Sequence, residues 1–171
     1  MGVICTRVHM ATYNYKNCQS LFGYSAEVHI RCKGQCQLCG CGGEPLDFDM
    51  WRQMTVEHLI GKSQGGYLKQ IKKIISNKYP YYTESEIVLL SKKIDALNTV
   101  TACQFCNSTT SRDNNSLSME ELINSCDNEN QIIKTVKKAC EMILKKKQEK
   151  VSWKLESIKN AFENNVIPKI K

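Results

Sequence analysis

Apolar and polar positions alternate in two short parts of the chain, which predicts two strands. Between residues 46 and 59 the alternation is that of a strand with one buried face. A second candidate strand covers residues 97–102, and a helix is expected to follow from Cys103. Ahead of the first strand, residues 25–33 have the pattern of a short helix that ends at Gly34. Strands flanked by helices in this way predict an α+β fold.

The other apolar positions recur every three or four residues, which is the spacing of helices with one buried face. Residues 67–96 predict a pair of helices inserted between the two strands. The motif Thr83-x-x-Glu86 has the form of a capping box and marks the start of the second of these helices. Toward the C-terminus, apolar stripes at residues 132–144 and 151–162 predict two further helices.

The net charge of +7 is confined to the C-terminal part of the chain. Residues 134–171 hold 11 lysines and 4 glutamates, whereas acidic and basic side chains balance over residues 1–133. A basic segment of this kind attracts polyanions, and nucleic acid is the commonest of them. A solvated helix face explains the same charge equally well, so the charge alone leaves both interpretations open.

The length and hydropathy of the chain exclude several classes of protein. A chain of 171 residues can bury one core of ordinary size. No apolar run reaches the roughly 20 residues that cross a membrane. The first residues lack the charged start and the apolar stretch of a secretory signal. We therefore expect an intracellular, cytoplasmic protein with no membrane partner.

Ten cysteines are many for a chain of this length. Four of them form two CxxC pairs, namely Cys36, Cys39, Cys103 and Cys106. Together they offer the four thiolates that a tetrahedral structural zinc ion binds, with no position left for water or substrate. This zinc is therefore expected to organise the chain rather than to catalyse. Cys32 or Cys41 could replace a ligand of the first pair, and the sequence leaves that alternative open.

A carboxylate and an imidazole stand side by side between the two cysteine pairs. Glu57 and His58 end the first predicted strand, just before the glycine-rich turn that begins at Gly61. Adjacent side chains on a strand point to opposite faces, so both can serve one site only where the strand ends or is distorted. Asn98 precedes the second cysteine pair, and Asn107 follows it directly.

The order CxxC, Glu-His, Asn, CxxC-Asn resembles that of the HNH endonucleases. The resemblance covers residues 24–113 and is interrupted by the helical insert. It implies a ββα-metal core, in which a two-stranded hairpin and a helix grip one divalent ion and the cysteine zinc site braces them. It also implies a metal-dependent endonuclease that hydrolyses phosphodiester bonds of double-stranded DNA. A compact chain with helical extensions most resembles a restriction-type enzyme.

The same resemblance implies a role for each residue of the motif. His58 corresponds to the general base that activates water, and its neutral form is available near physiological pH. Asn98 corresponds to the asparagine that holds the loop carrying this histidine. Glu57 and Asn107 correspond to the ligands of a catalytic ion, and oxygen ligands suit Mg²⁺ or Mn²⁺.

Two departures from the family pattern bear on these roles. Glu57 takes the place of an aspartate and is one methylene longer, which affects the metal distance. Ser111 and Arg112 stand where the family often has a lysine. Arg112, together with Lys62 in the glycine-rich turn, is a candidate for contact with the nucleic-acid backbone.

These patterns divide the chain into an N-terminal arm at 1–23, a zinc-braced HNH core at 24–116 with its helical insert at 67–96, and a basic helical extension at 117–171. The main alternative is a zinc-braced module that binds nucleic acid without cleaving it, and a zinc-organised protein-interaction domain is a further one. Cutting both strands of a palindrome needs two active sites, which predicts a homodimer. The apolar stripes of the extension either form its interface or pack onto the chain's own core.

Overall fold

A computed structural model describes residues 23–61, 67–110 and 117–170. Residues 1–22 of the predicted N-terminal arm lie outside these ranges. Within them the fold is α+β, with one small sheet and a majority of helix. In chain order the elements are α1 (Gly23–Arg31), α2 (Phe48–Trp51), β1 (Met54–His58), α3 (Tyr67–Lys78), α4 (Glu84–Asn98), β2 (Thr99–Cys103), α5 (Gln104–Thr110), α6 (Met119–Asn124), α7 (Glu129–Ala161), a π-helical turn (Phe162–Val166) and α8 (Ile167–Ile170).

The sheet is a single antiparallel pair. Strand β1 runs against β2, with Met54 opposite Cys103 at one end and His58 opposite Thr99 at the other. Helix α5 starts at the residue after β2, and the Gln104 backbone N–H donates to the Gln53 carbonyl at 3.0 Å. Helix α5 therefore follows β2 directly and is tied to the residue before β1, whereas α3 and α4 separate the two strands in sequence.

The first strand is shorter than the sequence predicts. Residues 46–59 were expected to be extended, but Phe48–Trp51 form one helical turn. The Asp47 carboxylate caps that turn by accepting from the backbone N–H groups of Asp49 and Met50, at 3.4 and 3.0 Å. The side chain of Phe48 is exposed, so the alternation in this segment did not mark a buried face.

The two helices of the insert occur as predicted. Thr83 and Glu86 form the expected capping box at the start of α4. Helix α4 extends to Asn98, so the second strand begins two residues later than predicted. The insert packs against α6 and α7 and, together with them, forms the larger hydrophobic core, in which Ile71, Ile75, Ile94, Ile123, Ile132 and Val136 are fully buried.

The two C-terminal helices that the sequence predicts are one helix. Helix α7 is 33 residues long and continues through the polar stretch at residues 145–150. That stretch contains only lysine, glutamine and glutamate, which are good helix formers, and neither glycine nor proline interrupts it. Beyond Val151 the helix carries no buried side chain up to its end at Ala161. No helix in the described ranges is both long and apolar enough to span a membrane.

A second, smaller core lies against the sheet. Its buried members are Cys36, Leu38, Met54, Ala102, Cys106 and Val151. Because α7 contributes Val151 here and Ile132 to the larger core, one helix joins the two cores.

Candidate functional site

The cysteines of the two CxxC pairs come together at the smaller core. The sulfur atoms of Cys36, Cys39, Cys103 and Cys106 all lie within 4.8 Å of one another. The Cys39 and Cys103 sulfurs are 3.9 Å apart. Sulfurs bound tetrahedrally to one zinc ion at about 2.3 Å would be about 3.8 Å apart. The four thiols therefore fit a zinc ion, and the prediction of a metal-binding cysteine cluster holds.

The electrostatics of the cluster also favour a cation. Burial raises the pKa of the Cys106 thiol, and the neighbouring Cys39 and Cys103 raise it further. Four thiolates this close would repel one another strongly without a positive charge between them. A divalent ion removes this cost, because a coordinating thiol is deprotonated outright.

Backbone hydrogen bonds hold the first cysteine pair in shape and join it to the sheet. The Cys36 N–H donates to the Cys41 carbonyl at 2.8 Å, and the Gln37 N–H donates to the Thr101 carbonyl of β2 at 2.8 Å. Gly42 has a φ of 77°, and a Cβ built there would lie 2.6 Å from the Met54 side chain. The same Cβ would lie 2.8 Å from the Gly34 carbonyl oxygen, so the positive φ and this backbone contact together favour glycine at the position.

The two rival ligands are not part of the cluster that the described residues form. The sulfur of Cys32 accepts from the Thr101 backbone N–H at 3.4 Å. Cys41 contributes its carbonyl to the loop, as described above, and its half-buried thiol interacts with Cys39 and Cys103 at the edge of the cluster without joining the four-sulfur set. The described geometry thus selects Cys36 and Cys39 as the ligands from the first pair.

Asn98 holds the backbone that follows His58. Its Oδ1 accepts from the Ile60 N–H at 2.8 Å, and its Nδ2 donates to the Ile60 carbonyl at 3.0 Å. The Asn98 carbonyl also accepts from the Leu59 N–H at 2.9 Å. The side chain is fully buried. Asn98 therefore fixes the direction in which the chain leaves β1.

His58 ends β1 and faces α3. Its ring meets the Tyr67 ring edge to face, with centroids 5.2 Å apart, and the residue is only 8% exposed. Burial lowers the pKa of His58 from 6.5 to about 4. The imidazole is therefore neutral at pH 7, but it is a weaker base than an exposed histidine.

Glu57 points to the other side of the sheet, where it meets a lysine. The Lys147 Nζ donates to the Glu57 Oε1 at 2.6 Å, and the two side chains are 6% and 7% exposed, respectively. The same ammonium donates to the Thr110 carbonyl, at the end of α5, at 3.3 Å. Glu57 and His58, although adjacent in sequence, therefore have different partners on opposite faces of the strand.

Asn107 lies on α5 and fastens that helix to β1. Its Nδ2 donates to the Thr55 Oγ1 at 2.9 Å and lies 3.5 Å from the Val56 carbonyl. Glu57 and Asn107, the residues predicted to bind Mg²⁺ or Mn²⁺, thus have protein partners in this arrangement, and Glu57 is paired with Lys147. The predicted backbone contacts Lys62 and Arg112 lie outside the described residues.

Sequence reasoning missed Lys147, although the sequence carried a signal for it. The buried residues of α7 recur at helical spacing, and Lys147 stands four residues after Ile143 and four before Val151. A lysine at a position that the apolar stripe reserves for the core needs a buried acidic partner. The pattern could therefore have predicted an ion pair, although not its partner, which lies 90 residues away in sequence.

Comparison of the chain with protein-family models, with curated proteins and with solved structures gave no match.

Proposed function

We propose that the protein is a DNA endonuclease of the HNH kind, with His58 as the general base and a structural zinc ion in the four-cysteine cluster. The observation that carries this proposal is the pair of hydrogen bonds between the Asn98 side chain and the Ile60 backbone. These bonds fix the segment directly after His58, which is the role that the sequence resemblance implies for this asparagine. The antiparallel pairing of β1 with β2, and the helix α5 that follows β2 and packs beside the pair, support the same proposal.

In the proposed reaction, His58 takes a proton from water while the water oxygen attacks the phosphorus of a phosphodiester. A P–O bond to the water oxygen forms and the P–O bond to the 3′ oxygen breaks, and the 3′ oxygen takes a proton from solvent water, which leaves a 3′ hydroxyl and a 5′ phosphate. A neutral imidazole is required for this step. Burial keeps His58 neutral at pH 7, since its pKa is lowered to about 4.

The catalytic divalent ion remains a prediction from the resemblance. Glu57 and Asn107 are its predicted ligands, but the pairing of Glu57 with Lys147 does not favour an ion at that carboxylate. We therefore route no step of the reaction through it. The basic segment at 134–171 is proposed to attract the phosphate backbone of double-stranded DNA, since its 11 lysines outnumber its 4 glutamates.

A second candidate function is a zinc-braced module that binds nucleic acid without cleaving it. Two observations favour it. His58 is 8% exposed, so little of its ring is accessible to water. Its lowered pKa also makes it a weak base, and general bases work best when their pKa is near the working pH.

Incubation of the zinc-loaded protein with supercoiled plasmid and Mg²⁺ distinguishes the two functions. The endonuclease proposal predicts nicked or linear product that increases with time and is abolished by a chelator. Retarded migration of intact plasmid, without any cleavage at any protein concentration, would contradict the endonuclease and support the binding module. If the protein neither cleaves nor retards the plasmid, both proposed functions are contradicted.

A further inference from the structure

We infer that the ammonium of Lys147 is the resident counter-ion of Glu57, in the place where the sequence alone predicts a divalent metal. On this basis Lys147 and Glu57 form one positioning unit that fixes the end of β1 against α5 and α7. Glu57 is then a residue that holds the strand in place rather than a metal ligand.

Two acceptors stabilise the positive charge of the Lys147 ammonium. The ammonium lies 2.6 Å from the Glu57 carboxylate and 3.3 Å from the Thr110 carbonyl. Thr110 is the last residue of α5, where unpaired carbonyls carry partial negative charge. A cation at this point is stabilised by the carboxylate and by the helix end together.

Burial makes the pair obligatory. Glu57 and Lys147 are 6% and 5% exposed. Of the lysines that the structure describes, Lys147 alone is buried. An isolated charge at such depth is strongly unfavourable, whereas a paired one is tolerated. A divalent ion at Glu57 would have to displace the ammonium, which would then remain buried next to a second cation.

The middle of α7 is attached to the site at further points on either side of Lys147. Gln148 donates to the Gln37 carbonyl in the first cysteine loop at 2.8 Å. Lys154 donates to the Thr109 carbonyl of α5 at 3.4 Å, and Val151 is fully buried in the smaller core. Because these contacts fix α7 on either side of Lys147, the backbone of this residue is held in place and its ammonium stays next to Glu57.

This inference deepens the proposed function and rests on it for the role of the site, yet it concerns ion occupancy and not cleavage. Its test can therefore fail while the endonuclease proposal survives, and the reverse also holds. The probe is Mn²⁺ alone, added to the full, zinc-loaded chain in the absence of DNA. The number of Mn²⁺ ions bound per chain is measured by electron paramagnetic resonance of the free ion.

The wild type and Glu57→Gln are expected to bind the same number of Mn²⁺ ions, because the Glu57 carboxylate is already neutralised by Lys147. One ion bound by the wild type and lost in Glu57→Gln would overturn the inference. If Glu57→Gln does not fold, Mn²⁺ broadening of wild-type amide signals in β1 decides instead. Broadening confined to this strand would overturn the inference, and its absence would support it.

Thermal unfolding tests the pairing separately. Lys147→Met and Glu57→Gln should each lower the melting temperature, and the double variant should lower it by less than the sum of the two losses. Lys146→Met, one residue away and exposed, is the matched control and should leave the melting temperature nearly unchanged. Additive losses would overturn the pairing. If Lys147→Met fails to fold, folding of the double variant supports the inference, whereas failure of the double variant as well would overturn the pairing, because neutralising Glu57 would then not relieve the loss of Lys147.

Discussion

At the scale of single residues, the end of β1 is defined by three polar side chains with different surroundings. Asn98 is fully buried and bonded to backbone, Glu57 is neutralised by Lys147, and His58 is packed against an aromatic ring. Buried polar groups are tolerated when each has a partner suited to its charge. The chemistry proposed for His58 therefore depends on neighbours that the chain supplies from distant positions.

The first prediction concerns the ionisation of His58. Its ring signals in nuclear magnetic resonance spectra should titrate with a pKa of about 4 and show no step near 6.5. Because the folded pKa is lower than the unfolded value, the unfolded chain binds more protons in this window. The contribution of His58 to stability is therefore complete above pH 6.5 and decreases as the pH falls toward 4.

The Tyr67→Ala variant is the companion to this measurement. Loss of the ring that packs on His58 should expose the imidazole and move its pKa back toward 6.5. A wild-type pKa that is already near 6.5 would show that the ring is not buried as described.

The second prediction concerns Asn98. The Asn98→Ala variant leaves the Ile60 N–H and carbonyl without their side-chain partner, which should lower the free energy of unfolding by roughly 2–4 kcal/mol. Chemical denaturation measures this loss. Asn107→Ala is the control, because Asn107 is only half-buried and its one short hydrogen bond is to Thr55. Equal losses in the two variants would contradict the special position of Asn98.

Residues whose role depends on neighbours in sequence could be predicted, and those that depend on distant partners could not. The CxxC spacing predicted the four cysteines that the structure brings together, although it left Cys32 and Cys41 open as alternatives. The pairing of Lys147 with Glu57 needed the fold, because 90 residues separate the two side chains. Periodicity could reveal that the lysine is buried but not which carboxylate it meets.

At the scale of elements, the cysteine cluster connects a loop, a strand and a helix. Cys36 and Cys39 lie in the loop after α1, Cys103 ends β2, and Cys106 lies on α5. A metal ion bound by all four fixes α5 relative to the sheet. Such an ion would therefore position Asn107 and Thr110, which touch β1 directly and through Lys147.

The third prediction follows from this connection. The purified protein should contain one zinc ion per chain, measured by elemental analysis, and Cys106→Ser should lose the ion together with cooperative unfolding. Cys126→Ser is the control and should keep both, because Cys126 lies in the larger core and its side chain donates to the Leu122 carbonyl rather than contacting the four-sulfur cluster. A folded Cys106→Ser protein that retains its zinc would show that the cluster does not organise the chain.

Helices were predicted correctly where a capping motif in the sequence and a periodic apolar face mark the same segment. The two insert helices and the capping box at Thr83 follow from local sequence. The helical turn at Phe48–Trp51 has no buried residue, so the alternation of apolar and polar residues there does not report a buried face. The strand predicted from that alternation is therefore wrong in this segment. The two predicted C-terminal helices proved to be one, since the change of burial partner between them required no break in the backbone.

At the scale of the whole molecule, α7 joins two cores and then continues as an exposed helix. Its first part packs against the insert helices, and its middle packs against the cysteine cluster. Beyond these contacts Trp153, Ile158 and Phe162 are 75%, 49% and 49% exposed. This apolar surface is where the predicted homodimer interface would lie, since a restriction-type cut of both strands needs two sites.

The fourth prediction tests that interface. The wild type should sediment as a dimer, and Phe162→Asp should shift it toward the monomer, because a buried charge at the contact is unfavourable. Glu163→Gln, at the next residue, is the control and should leave the sedimentation unchanged. A wild type that is monomeric at all accessible concentrations would contradict the predicted dimer.

The central claim is that His58 performs the cleavage of DNA. The most direct test compares the wild type with His58→Ala on supercoiled plasmid, after zinc content and melting behaviour have been shown to match. If His58 has this role, we expect nicked or linear plasmid with the wild type and none with His58→Ala, while both proteins retard the plasmid equally. Cleavage by His58→Ala at the wild-type rate, or none by either protein, would contradict it.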